Sequence, residues 1–170
     1  MITKTLLFSV LLLLPLTGTV QQSLPDTPPE VPPASSIQWM TFDQAIDACR
    51  RRGRLILIDM YTDWCRWCKE MDRDTFRDPK VAAYINKYYY PVKFNVEKAG
   101  PVHFRGKTYQ LLDAGSKQIH ALAWELLDGK IAYPAFVVLD PYLRTVHVTK
   151  GYWKPEPFLT EIKWLVRQHR

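Results

Sequence analysis

Three cysteines in 170 residues are too few for a disulfide framework. A small exported domain that relies on one carries a larger, even number at wide spacing. Two of the three, Cys65 and Cys68, would close a very small loop, so a bond between them restrains the unfolded chain little. A zinc site is also short of ligands: the pair supplies two of the four required. His103, His120, His147 and His169 show no ligand spacing, and Cys49 could join a histidine only if its helix came close. No internal repeat is visible. The net charge of +6 is spread among acidic residues. Only Arg50, Arg51, Arg52 and Arg54 cluster, and with no recognition motif beside them they read as a solvated helix end, not a nucleic-acid site.

What is present begins with a targeting pattern. Lys4 gives a short positive region. Leu6 to Leu14 is an apolar run of about nine residues, short of the roughly 20 that span a bilayer. Thr17, Gly18 and Thr19 suit a signal peptidase. Residues 1–20 therefore read as a signal peptide, with an uncleaved N-terminal anchor as the alternative. Export, most simply to the periplasm, follows from either. Residues 21–36 form a linker whose first fifteen residues hold five prolines, an extended tether. The domain proper covers residues 37–170.

Within it, Thr41 and Gln44 form a capping box for a helix carrying Phe42, Ile46 and Cys49 on one face. Gly53 is expected to end that helix in the left-handed conformation. Leu55–Asp59 is a nearly continuous apolar run, a strand buried on both faces. A helix starts at or just after Cys65. Asp78 and Pro79 cap and open another, through Val81, Tyr84 and Ile85. Residues 91–97 alternate as a strand, a hairpin or long loop surrounds Gly106, and a helix is expected over 116–127, stopped by Gly129. Residues 135–140 and 144–150 are strands, and 156–168 is a closing amphipathic helix. The order α-β-α-α-β-α-β-β-α is α/β, with parallel pairing first and an antiparallel hairpin last.

The pair in Asp63–Lys69, DWCRWCK, can be redox-active, half of a metal site, or a buried coincidence. Its place on a helix start favours the first. First-turn amides are unpaired there and the helix dipole is positive, so a thiolate at Cys65 is stabilised. Arg66 and Lys69 add positive charge. Cys68, about a turn further and expected to be more buried, suits a resolving thiol. Cys49, on an apolar helix face, reads as a buried inert thiol.

Residues Ile58–Lys69, IDMYTDWCRWCK, resemble the active-site segment of the thioredoxins: strand, acidic residue, Trp-Cys-x-x-Cys-Lys, helix. AYPAFVVLD, with Tyr133-Pro134, resembles the family's cis-proline loop and core strand, and KGY at Lys150–Tyr152 its glycine after the last strand. The resemblance covers about residues 37–170. The WCxWCK form and an insertion near residues 97–130 are most similar to the exported bacterial thioredoxin-like branch.

This resemblance implies a thioredoxin fold, with a central mixed sheet of four to five strands and helices on both faces. It implies a protein-disulfide oxidoreductase, with the reductase direction preferred. Cys65 would be the nucleophile, Cys68 the resolving thiol and Asp59 a buried proton relay. Trp64, Arg66, Trp67, Tyr133 and Pro134 would bind substrate, the last two beside Cys65, where an extended peptide can pair strand-like. No metal and no cofactor beyond the Cys65–Cys68 disulfide are implied. The partners would be protein or peptide disulfides and a membrane or periplasmic redox partner, without nucleic acid. General reductases of the family carry Gly-Pro where this chain has Arg66-Trp67. Those residues tune potential over about 150 mV within the fold; Arg66 favours the thiolate and so the oxidising end. The alternative is a peptide-binding or chaperone-like module that needs no redox chemistry, which has no use for both cysteines.

Overall fold

The computed structural model describes residues 36–169. The expected signal peptide and all but the last linker residue lie outside the described residues. Helix α1, Phe42–Arg51, opens as the capping box requires: Thr41 Oγ1 accepts from the Gln44 amide at 3.3 Å, and Gln44 Oε1 accepts from the Thr41 amide at 2.9 Å. Its end differs from expectation. The cap is Arg52 in extended conformation, and Gly53 does not adopt positive φ. The chain leaves the helix straight into strand β1, Leu55–Tyr61, so no left-handed reversal is needed.

Helix α2, Arg66–Arg73, follows β1, and a single 3-10 turn, Thr75–Arg77, leads to α3, Pro79–Tyr88. Asp78 caps α3 by accepting from the Lys80 and Val81 amides, with Pro79 at the first position. Strand β2, Tyr89–Asn95, comes next. Two hairpins are then inserted: β3, Val102–Phe104, with β4, Lys107–Tyr109, and β5, Leu111–Ala114, with β6, Lys117–His120. Helix α4, Ala121–Leu126, strands β7, Ala135–Leu139, and β8, Thr145–Lys150, and helix α5, Pro155–Gln168, complete the order.

The second hairpin corrects the helix expected over 116–127. The apolar residues Ile119, Leu122 and Leu126 fit a helical period, but only the last two are helical. The His120 amide donates to the Val96 carbonyl at 2.7 Å and the Ala121 amide to the Gln110 carbonyl at 2.9 Å, which hold the chain extended up to that point. A two-residue turn with Gly115 at φ +73° then lets residues 117–120 pair back on 111–114. His120 caps the shortened helix, its Nδ1 accepting from the Leu122 amide.

The main sheet has the order β2-β1-β7-β8. β1 pairs parallel with β2 and antiparallel with β7, and β7 pairs antiparallel with β8. Strand alternation divides the core in two. Ile56, Ile58 and Met60 pack with α1, α4 and the first hairpin. Leu55 and Leu57 pack with Met71, Phe76, Ile85, Phe136 and Phe158, on the face covered by α2, α3 and α5. Phe136 meets Phe76 and Phe158 edge-on at 5.9 and 5.1 Å between ring centres. The four-stranded mixed sheet with helices on both faces is the thioredoxin fold.

Candidate active site

The loop leaving β1 carries Thr62, Asp63 and Trp64 to the start of α2. Asp63 ties this loop to the end of β2, accepting from Asn95 Nδ2 at 2.8 Å and pairing with Lys98 at 2.5 Å. The Cys65 amide donates to the Thr62 carbonyl at 3.2 Å. Cys65 is therefore the N-cap residue of α2, and its Sγ accepts from the Cys68 amide at 3.1 Å. That amide is one of the first-turn donors a helix leaves unpaired, the group that would hold a thiolate.

Cys65 and Cys68 are joined as a disulfide. Both are buried, at 4% and 2% exposure, so accessibility does not separate nucleophile from resolving thiol as the sequence suggested. Their positions on the helix differ: Cys65 sits at the cap, Cys68 within the first turn.

Asp59 lies on the face of β1 that α2 covers, since it alternates with Leu55 and Leu57. It is 1% exposed. Burial pushes its carboxyl up to about 6, against the opposing pull of Lys93. Lys93 stands in register with Asp59 across the parallel β1–β2 pair. Its Nζ is 2.6 Å from Asp59 Oδ2 and also contacts Asp72 of α2. For Lys93 burial works the other way, but two carboxylates outweigh it and hold the ammonium above its usual value. The rings of Trp39, Tyr61 and Phe76 lie 5.0 to 5.2 Å from the same nitrogen. Asp59 Oδ1 is buried and has no hydrogen-bond partner among the described residues. One oxygen is thus fixed by a cation and the other is open to carry a proton.

Trp64 is 57% exposed, with its indole held on three sides. Nε1 donates to Glu97, 3.0 and 2.9 Å from its two carboxylate oxygens. Lys117 Nζ lies 4.1 Å from the ring centre, and Tyr133 meets the ring edge-on at 6.2 Å. Tyr133-Pro134 is cis. It directly precedes β7, whose Ala135 pairs with Met60, so the loop sits at the same sheet end as the Cys65 loop. The Pro134 carbonyl accepts from the Gly151 amide at 2.8 Å. On the other side of the site Trp67 is 54% exposed and rests against Tyr152 at 5.6 Å, and Arg66 lies over the Trp67 ring at 5.8 Å.

All eight residues picked out from the sequence lie at this end of the sheet, on the strand, helix start and loop just described. Lys93, Asp72, Glu97 and Lys117 were not picked out. Lys93 left a trace, as a lone cation inside an alternating strand. Asp72, Glu97 and Lys117 left none, because their partners are 21 to 53 positions away in sequence. Cys49 stands apart as expected. It is buried, its thiol donates to the Arg54 carbonyl at 3.3 Å, and burial raises its pKa, so it stays protonated.

The chain is similar to known proteins at this site and over its fold. A stretch of 41 residues is 49% identical to the thiol:disulfide interchange protein DsbD of Ralstonia nicotianae, covering 24% of this chain and 7% of that protein's length. Two solved structures share the fold at a TM-score of 0.56. One is described as a DsbH oxidoreductase, at 15% identity over 88% of this chain and 94% of its own. The other is a thioredoxin from Thermus thermophilus, at 18% identity over 76% and 87%. Residues 33–157 match the family model Thioredox_DsbH, described as "Protein of unknown function, DUF255". With its thioredoxin fold and a Cys-x-x-Cys pair at the cap of α2, the chain belongs to that DsbH-type thioredoxin-like family.

Proposed function

We propose that this chain is a thiol–disulfide oxidoreductase that reduces disulfides of exported proteins in the periplasm. The observation that carries the reading is the Cys65–Cys68 pair at a helix cap, with a buried, half-paired Asp59 on the strand face that the helix covers.

In the reduced protein, the Cys65 thiolate attacks one sulfur of a substrate disulfide. A Cys65–substrate bond forms, and the other substrate sulfur leaves as a thiolate that takes up a proton. Cys68 then loses its proton, for which Asp59 is the acceptor, and attacks Cys65 Sγ. The Cys65–Cys68 disulfide forms and the second substrate thiol leaves. Two electrons pass from the dithiol to the substrate. An external dithiol, on a membrane or periplasmic partner, returns them. Trp64, Arg66, Trp67, Tyr133 and Pro134 frame the substrate.

The reducing direction is supported by the burial of Cys65, which opposes a free thiolate and works against the helix-cap amide that favours one. The Arg66 guanidinium, which the sequence suggested would help, is stacked on the Trp67 ring.

The Cys68→Ala variant tests the activity: it should accumulate mixed disulfides on Cys65. No trapped protein, together with no reduction of a protein disulfide by the unaltered chain, overturns the reading. The reduction potential tests the direction. A value near the roughly −270 mV of a thioredoxin supports a reductase, and one near about −120 mV overturns it.

A further inference from the structure

Against Trp64, the residue before Cys65, lies a cavity of about 380 Å³, bounded also by Tyr133, Trp124 and the β5–β6 hairpin. Its volume is in the range that holds a small ligand or one large side chain. The hairpin presents one face to it. In strands, alternate residues share a face, so Leu112, Ala114, Lys117 and Ile119 stand together in the observed register. Ala114, Lys117 and Ile119 line the cavity, and Leu112 is 46% exposed on the same face. With Trp64 and Trp124, at 57% and 53% exposure, they leave apolar surface open on one side of the redox centre.

The chemistry of the occupant follows from the charges already in place. The cavity has two, and both are engaged with Trp64: the Glu97 carboxylate takes the indole N–H, and the Lys117 ammonium covers the ring face. They are opposite in sign. An entering group meets mainly aromatic and aliphatic walls, with Gln118 the remaining polar side chain, bonded to Asp113, and two charges of opposite sign that together favour neither a cation nor an anion. A cationic side chain drawn to Glu97 meets Lys117, and an anionic one drawn to Lys117 meets Glu97. We infer that this cavity is a subsite for the substrate polypeptide, taking a large, uncharged apolar side chain close to its disulfide. The subsite shares Trp64 and Tyr133 with the site itself, so an extended segment lying along the disulfide can reach both. The inference rests on the oxidoreductase reading above, and names the substrate feature that the β5–β6 insertion selects.

The test uses one disulfide-bonded peptide in four forms, with Trp, Ala, Lys or Asp at the next-but-one position from a cysteine. Each is also made with a thioether bridge, which cannot exchange. The expected result is a kcat/KM about tenfold or more higher for the Trp form than for the Ala form, a usual range for an apolar pocket. The thioether Trp form should bind tighter by a similar factor and shift the indole N–H signals of Trp64 and Trp124 in NMR. Ala114→Trp fills the cavity from an exposed hairpin position, and Trp124→Ala removes a wall. In either variant the Trp-to-Ala ratio should fall to about one. Equal binding of all four thioether forms overturns the subsite. Preference for the Lys or Asp form overturns its chemistry. Failure of every disulfide peptide to exchange overturns the oxidoreductase reading instead, while the thioether titrations still decide whether the cavity binds.

Discussion

Replacing Asp59 by Asn should make the protein more stable at neutral pH. In the folded state burial raises the Asp59 carboxyl from 3.8 to about 6, the desolvation of a 1% exposed group exceeding the pull of Lys93. The folded protein therefore binds this proton more tightly than the unfolded chain does. The stability that comes with it is complete below pH about 4 and is lost as pH rises through about 6. At about 1.4 kcal/mol for each pH unit between the two values, the loss reaches about 3 kcal/mol by pH 8. The Asn side chain has no such titration. Lys93 loses one of its two anions in the variant, but that attraction is already contained in the value of about 6, and the ammonium keeps Asp72. The assay is urea unfolding of the disulfide-bonded protein from pH 4 to pH 8, which keeps the thiols out of the titration. The stability of Asp59→Asn relative to the unaltered chain should climb by about 2–3 kcal/mol across that range. Parallel curves would refute the reasoning, since they would mean that Asp59 is ionised at no cost. The same raised carboxyl is what would let Asp59 accept a proton near neutrality in the reaction proposed above.

Three further outcomes are expected. Asp72→Asn removes a negative charge that raises the Asp59 pKa and frees Lys93 to act on Asp59 alone, so the Asp59 carboxyl signal in NMR should titrate below about 6; a higher value would mean that Asp72 is needed to hold Lys93 in place. Asp140, 2% exposed, accepts from the Tyr142 and Arg144 amides at 2.9 Å each and pairs with Arg144; despite burial, these bonds hold its carboxyl below the usual value. Its contribution is therefore present above pH about 4 and is lost as pH falls, so Asp140→Asn should cost about 1–3 kcal/mol at pH 7 and less in acid, read by urea unfolding. Phe136→Ala should cost about 3–5 kcal/mol in the same assay, because its ring is buried against Phe76 and Phe158.

The sequence carried most of the site because most of it is local. Trp64, Cys65, Arg66, Trp67 and Cys68 form one segment, and the helix cap that orients them follows from the run of residues itself. The capping boxes and proline starts that open α1 and α3 are local too. Errors arose where distant partners overruled local preference. Gly53 ends no helix in the left-handed form, because β1 draws the chain onward. Residues 117–120 have helical spacing, yet hydrogen bonds from His120 and Ala121 to Val96 and Gln110 hold them extended.

By itself, then, the sequence determined which segments become the main-sheet strands, their order along the chain, and the places of the redox pair and the strand carboxylate, because each depends on residues close together along the chain. Tertiary structure alone decided what surrounds them. The β1–β2 register puts Lys93 on Asp59, the packing of α2 brings Asp72 to the same ammonium, and the second hairpin carries Lys117 onto Trp64. Those contacts join residues 21 to 53 positions apart, and no spacing along the chain encodes which of them meet, only the packing of a finished sheet.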